Sequence, residues 1–294
     1  MDPEAESIGS TKKGPAIENT VRYAVLLGTV GVVIVACGGL LGGRSGVLVG
    51  LGLGVMAAGG FWWFSDRLVI RACGAQASDA PITSAMRAEL SGRAAMPSPR
   101  LYVAPNPQPN AFAIGRTPRH AAIVVTEGLL SLLEPTEIRA VLANELTHIR
   151  RRDTLVTSMA GATASGMICA AALWKRSRPP GRHIRRGSPG VVVTSGTRLA
   201  ARLLRFALPS DFESGADRGG SDLTGDPEAL ARALTRIEGY AQVVPMEVIL
   251  AQVSAWVVNP LGDTADTAWL FSTDPPVAKR IDRLRVTPGP RMAT

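Results

Sequence analysis

The sequence predicts an α+β protein that is mainly helical, with a helical hairpin in a membrane ahead of a globular part that contains a small sheet. Two apolar runs, residues 21–43 and 46–64, are each about long enough to cross roughly 30 Å of hydrocarbon as a helix. Short strand-like segments and a longer amphipathic segment follow them. The composition agrees, because 46% of residues are hydrophobic and mean hydropathy is +0.15.

The flanks of the apolar runs predict the orientation of the hairpin, residues 21–71. Basic residues precede it and follow it, whereas Arg44 alone lies in the turn between the runs. Under the positive-inside rule both ends then face the cytoplasm, which predicts a multi-pass protein of the cell membrane. A signal peptide does not fit, since the first run begins after a polar tail (residues 1–20) and the second follows at once.

Two later segments are apolar enough to contact a membrane. Residues 154–174 are rich in small side chains, which allow close helix packing. Residues 191–208 carry Arg198, Arg202 and Arg205 on one helical face, and each charge costs about 2.5–3.5 kcal/mol at a bilayer centre. An interfacial or protein-covered helix is therefore favoured for the second segment. The number of spans beyond the first two stays open.

Charge and cysteine content argue against nucleic-acid binding and against sites built from cysteine. The net charge is +8, and the basic residues crowd beside apolar segments without interleaved aromatic residues, which favours an anionic membrane surface over nucleic acid. The three cysteines, Cys37, Cys73 and Cys169, have no C-x-x-C spacing. Neither a disulfide framework nor a cysteine zinc site is indicated.

The globular part begins near residue 72 and has two predicted strands, Leu101–Val103 and Ala121–Val125. The proline- and asparagine-rich residues 106–110 between them predict a loop. A helix is predicted from Pro135, a residue suited to the first turn, because apolar residues recur from there at helical spacing. Residues 144–148 therefore lie on a helix.

These five residues read N-E-L-T-H. Side chains at i and i+4 share a helix face, so Asn144 and His148 can address one ion while Glu145 addresses a water bound to it. That is the layout of metal-assisted peptide hydrolysis, in which three protein ligands leave one position for water. A bare E-x-x-H is common by chance, so the flanking sequence has to decide.

Four stretches of the chain resemble the HtpX-like membrane zinc metalloproteases, relatives of the CAAX prenyl endopeptidases. They are residues 107–121 (PQPNAFAIGRTPRHA), 126–130 (TEGLL), 213–230 (ESGADRGG, then LTGDPEAL) and 271–281 (FSTDPP, then RI). They occur in the family's order, and the likeness runs from the hairpin nearly to Arg285. It implies a zincin-like, gluzincin-type peptidase domain over residues 72–285 that faces the cytoplasm, followed by a tail, 286–294.

The resemblance also implies roles for individual residues. Its cofactor would be zinc, and its substrates unfolded or damaged membrane proteins, met at the lipid bilayer. Glu145 would be the general base and Asp217 would orient a ligand. The metal positions would be His148, Glu213 and Asn144, and a substrate strand would pair with Asn110, Ala111, Phe112 and Ala113.

The chain departs from the family where the chemistry is expected. Asn144 stands at the first histidine ligand, Asp274 at the histidine of the C-terminal element, and residues 209–212 where the family carries arginines. An amide oxygen is a weak zinc donor beside an imidazole. Two hypotheses follow: a zinc endopeptidase with impaired catalysis, or a pseudoprotease that binds membrane-protein segments.

Blander alternatives remain for the same residues. Glu213 and Asp217 can be solvated acids at a helix end, and His148 a hydrogen-bonded core histidine. A basic membrane-surface protein unrelated to proteolysis fits the charge but not the ordered motifs. The sequence does not indicate the oligomeric state or the natural substrates.

Overall fold

The computed structural model describes residues 35, 39–40, 42–56, 59–60, 63–64, 66–154, 157, 211–241, 243, 256–257 and 275–286. Its strands are β1 (Gln76–Ala77), β2 (Arg100–Ala104), β3 (Ala111–Gly115) and β4 (Ala121–Thr126). Its helices after the apolar runs are α1 (Pro81–Arg93), α2 (Glu127–Leu132), α3 (Pro135–Arg151), α4 (Asp211–Thr224), α5 (Pro227–Ala241) and α6 (Val277–Val286). A mainly helical α+β domain with a small sheet is confirmed.

The sheet has the order β1-β2-β4-β3, in which β2 and β4 run parallel and the outer strands pair antiparallel. Side chains alternate along β4, so that Ile123 and Val125 join the core beneath α3 while Val124 packs on the opposite face with Phe112 and Trp256. Both predicted strands are confirmed, each one or two residues longer than predicted. β3 closes one edge of the sheet.

α3 is the central helix, and the predicted start at Pro135 is confirmed. Glu134 caps the helix through its side chain, and the backbone N–H of Glu134 donates to the carboxylate of Glu137 over 2.9 Å. Almost every residue from Glu137 to Ile149 is buried. The last residue of the helix is Arg151. The next residue, Arg152, takes a left-handed conformation with φ of 62° and reverses the direction of the chain.

α3 and α4 cross with their backbones in close approach at Gly220. A Cβ atom at Gly220 would lie 2.9 Å from the backbone nitrogen of Asn144 and 3.0 Å from its Cα. Only glycine permits this distance without movement of a backbone. The crossing allows short side chains on the two helices to meet.

Gly220→Ala is expected to lower the free energy of unfolding by about 1–3 kcal/mol, because overpacking outweighs the gain in helix propensity. The measurement is thermal or denaturant unfolding followed by circular dichroism in detergent. Gly239→Ala in α5 is the matched control, since a Cβ there meets nothing within 4 Å. Equal stability of the two variants would contradict the tight crossing.

Among the described residues, no helix combines the length and hydropathy that a membrane crossing requires. The hairpin predicted over 21–71 is described in part, and the segments 154–174 and 191–208 lie almost wholly outside the described residues. Residues 42–56 are helical. Several large apolar side chains of that stretch are exposed: Val47, Leu48, Val49, Leu51, Leu53, Val55 and Met56.

Candidate functional site

Two pairs of side chains connect α3 and α4 at their crossing. Asn144 Nδ2 donates to Asp217 Oδ1 over 3.0 Å, and His148 Nε2 lies 3.5 Å from Glu213 Oε1. His148 follows Asn144 by one turn while Glu213 precedes Asp217 by one turn, so the helices run antiparallel here. The structure thus brings together Asn144, His148, Glu213 and Asp217, four of the residues to which the resemblance gave a role.

Asp153 holds the other side of the His148 ring. The left-handed turn at Arg152 returns the chain, and Asp153 Oδ2 lies 3.1 Å from His148 Nδ1 and accepts from Arg151 Nε over 3.1 Å. Asp153 thereby fixes the orientation of the His148 ring, with Nε2 toward Glu213. Sequence reasoning missed Asp153, whose one signal was an acid just beyond the helix that carries the motif.

Two opposing effects act on the imidazole. Burial lowers the pKa of His148, but the carboxylates of Glu213 and Asp153 raise it more, to about 9. The two carboxylates therefore favour the protonated form of the imidazole.

Arg280 is the second residue that sequence reasoning missed as part of the site. Its side chain is fully buried and grips Asp217 with two hydrogen bonds, from Nε to Oδ2 over 2.9 Å and from Nη2 to Oδ1 over 2.7 Å. Nη1 donates to the carbonyl of Val257 over 2.7 Å and lies 2.9 Å from Glu213 Oε2. One guanidinium from α6 therefore pairs with two buried carboxylates of α4.

Glu145 is buried on α3 beside this network. Burial raises the pKa of its carboxyl to about 7, against the lowering effects of His148, Arg280 and a hydrogen bond from the Ala113 backbone. A group with this pKa can both accept and return a proton near neutral pH. Its contact with Ala113 joins the motif helix to strand β3.

The residues that the resemblance assigned to a substrate edge lie at the edge of the described sheet. Thr126 N–H donates to the carbonyl of Asn110. Because hydrogen-bonded pairs alternate along an antiparallel pair of strands, the even-numbered residues of β3 bond to β4 and the odd-numbered ones point their backbone groups away from it. Val257 N–H already donates to the Ala111 carbonyl over 2.8 Å, and the Trp256 ring packs edge-on against Phe112. Their role toward a substrate stays a prediction.

The bland alternative for the acids is wrong, since Glu213 and Asp217 are buried and paired rather than solvated. The hydrogen-bonded core histidine remains compatible with His148, because both of its nitrogens face carboxylates. Asp274 lies outside the described residues.

His148, Glu213 and Asn144 are the side chains that could hold a metal ion here. Within the described part of the chain, no group of three or more His, Cys, Asp or Glu side chains is arranged to hold one. Two ligands of one tetrahedral zinc, at bonds of about 2.0–2.1 Å, lie roughly 3.4 Å apart, close to the 3.5 Å between His148 Nε2 and Glu213 Oε1. Asn144 Oδ1 is buried and has no hydrogen-bond partner among the described residues. His148 and Glu213 therefore offer two strong donors at the spacing of zinc ligands, and the Asn144 oxygen, on the same face of α3 as His148, is available as a weak third donor.

Comparison with known proteins extends over most of the chain. The sequence profile described as "Peptidase family M48" matches residues 79–287. A "Protease HtpX homolog" of Acidiphilium cryptum (strain JF-5) is 41% identical over 283 residues, covering 91% of this chain and 96% of the relative. Proteins of the same description from Ralstonia pickettii (strain 12J) and Syntrophotalea carbinolica are 37% and 38% identical, each over 90% of this chain and 96% and 98% of their own length.

Proposed function

The chain belongs to peptidase family M48 as an HtpX-like member, and from that premise we propose that it is a membrane-bound, zinc-dependent endopeptidase whose catalysis is impaired at Asn144. Its proposed substrates are unfolded or damaged membrane proteins. One observation carries the proposal: the buried Glu145 lies beside a His148–Glu213 pair whose donor atoms have the separation of two zinc ligands.

The side chains divide the proposed work. His148, Glu213 and the Asn144 oxygen would hold the zinc, which when bound supplies polarisation of the scissile carbonyl and a more acidic water. Glu145 takes a proton from the attacking water and passes it to the leaving nitrogen, a task suited to a pKa of about 7. Asp153 and Asp217 fix the orientations of His148 and Asn144.

An extended polypeptide suits the edge of β3. Strand addition there would rely on backbone hydrogen bonds with the outward groups of Ala111 and Ala113, which tolerate many sequences. The bonds from Val257 to Ala111 and from Ala113 to Glu145 would have to break before such a strand could pair along the whole edge. This supports unfolded segments as the substrate class, since folded proteins protect the edges of their sheets against pairing with another strand.

Apolar surface supports the membrane part of the proposal. The exposed large side chains of the helical residues 42–56 form a surface that water does not favour and lipid does. Beyond this stretch, the Arg116 guanidinium lies 4.5 Å from the centre of the Trp63 ring and donates to the Trp63 carbonyl, which connects the end of the second apolar run to the residue that follows β3. We propose a multi-pass protein of the cell membrane with its peptidase domain toward the cytoplasm.

The test is cleavage of an unfolded, dye-labelled polypeptide by the detergent-purified chain with added zinc. Slow hydrolysis is expected, and Glu145→Gln, which preserves shape but removes the base, should reduce it by about 100-fold or more. Ser221→Ala, a buried change on α4 that removes no proposed ligand, is the control and should leave the rate unchanged. Equal rates for the wild type and Glu145→Gln would overturn the proposal.

A pseudoprotease is the second candidate, and one observation favours it. Arg280 pairs with both buried carboxylates of α4 and His148 faces Glu213, so these acids already have basic partners among the side chains of the site. In that case the chain would bind unfolded membrane-protein segments at the β3 edge without cleaving them. Binding of such a segment that persists unchanged in Glu145→Gln, together with no turnover in the wild type, would select this alternative.

A further inference from the structure

Among the described residues, the buried side-chain oxygen of Asn144 has no hydrogen-bond donor. Asn144 is completely buried, and among the described residues its Oδ1 accepts no hydrogen bond. A buried polar atom without a partner destabilises a fold unless a ligand or water satisfies it. The atom belongs to a residue on the same face of α3 as His148.

Asp217 fixes which end of the amide is presented. Its Oδ1 lies 3.0 Å from Asn144 Nδ2 and also accepts from Arg280 over 2.7 Å. Both carboxylate oxygens of Asp217 accept hydrogen bonds from Arg280, so Oδ1 meets the Asn144 amide as an acceptor. A flipped amide would put its oxygen against a carboxylate oxygen, which is repulsive. Asn144 therefore turns an NH2 group to Asp217 and a carbonyl oxygen away from it.

We propose that Asn144 is an oxygen ligand, and that it makes this a site of one imidazole nitrogen and two side-chain oxygens with a shifted preference toward Mn²⁺ relative to zinc. The inference rests on the proposed function for the existence of a metal site, and it deepens that proposal by naming the selectivity. Asp217 is the positioning residue, because it holds the amide in the orientation that presents oxygen.

The chemical basis is the preference of each ion for its ligands. Carboxylate and carbonyl oxygens suit Mn²⁺, whereas imidazole suits zinc. Replacing one imidazole by a neutral amide oxygen therefore weakens zinc binding more than Mn²⁺ binding. Zinc still binds more tightly to most sites in absolute terms. The measurable signature is a smaller ratio of the two affinities, not a reversal.

The experiment measures metal affinity on the full chain in detergent after removal of metal by a chelator. Free Mn²⁺ is titrated by its electron paramagnetic resonance signal, and zinc by isothermal calorimetry. Asn144→Ala should weaken Mn²⁺ binding by about tenfold or more. Asn144→His should tighten zinc binding by about 100-fold or more but change Mn²⁺ binding by less than about threefold. Ser221→Ala is the control and should change neither.

Several results would overturn the inference. They are an unchanged Mn²⁺ affinity in Asn144→Ala, an equal gain for both ions in Asn144→His, or no Mn²⁺ binding by the wild type. If Asn144→Ala does not fold, the ratio in Asn144→His still decides. Zinc-dependent cleavage with an unchanged Asn144→Ala affinity would defeat this inference alone. Mn²⁺ binding through Asn144 without cleavage under any metal would defeat the proposed function alone.

Discussion

Arg280→Leu is expected to lower the free energy of unfolding by about 3–5 kcal/mol, because it leaves two buried carboxylates without their cation. Arg280 is 1% exposed and bonds to Asp217, Glu213 and the Val257 carbonyl at once. Leucine keeps the site filled but removes every one of these contacts. Denaturant unfolding followed by circular dichroism measures the loss.

Arg285→Leu on the same helix is the matched control. Its ion pair with Glu228 spans 3.3 Å between side chains that are about half exposed, so the change should stay within roughly 1 kcal/mol. Arg280→Lys keeps a positive charge but loses the paired N–H donors of the guanidinium, so its loss of unfolding free energy should lie between those of Arg280→Leu and Arg285→Leu. A loss in Arg280→Leu no larger than that in Arg285→Leu would show that the buried network contributes little to stability.

Asn144→His is expected to raise zinc content from well below one ion per chain to near one. It should also increase the rate of peptide cleavage by about 100-fold or more. Residues that only hydrogen-bond to a metal ligand change metal affinity or activity 10–100-fold, and a residue that binds the metal directly should matter more. The imidazole supplies a strong nitrogen donor beside His148 and Glu213, and its second nitrogen can donate to Asp217 as the amide does now. Elemental mass spectrometry and cleavage of the unfolded polypeptide are the two measurements.

The double variant Asn144→His with His148→Gln is the control, and it should lose both gains. One zinc per chain in the wild type, with no increase in Asn144→His, would contradict the weak-donor account. If Asn144→His gains zinc but does not cleave, we infer that Asp274 blocks catalysis. In that case Asn144→His combined with Asp274→His should cleave, since a histidine can donate to a developing oxyanion that an ionised aspartate repels.

Local patterns predicted much of the fold correctly. The spacing of apolar residues after Pro135 placed the motif on a helix, because burial of one helix face leaves a periodic trace in the sequence. Leu101–Val103 and Ala121–Val125 were found as strands for a similar reason. α1 was not predicted, since its apolar pattern is weak and few of its residues are buried. β1 has two residues and carries no periodicity at all.

The sequence by itself determined the family and placed Asn144, Glu145 and His148 in one helical motif, because these depend on which residues occur in which order. Only the tertiary structure decided that Arg280, distant in sequence from α3 and α4, joins Glu213 and Asp217, and that Asp153 turns back to His148. It also decided which end of the Asn144 amide is presented. Those contacts arise from a helix crossing at Gly220 and from chain reversals, which bring together residues that no spacing rule relates.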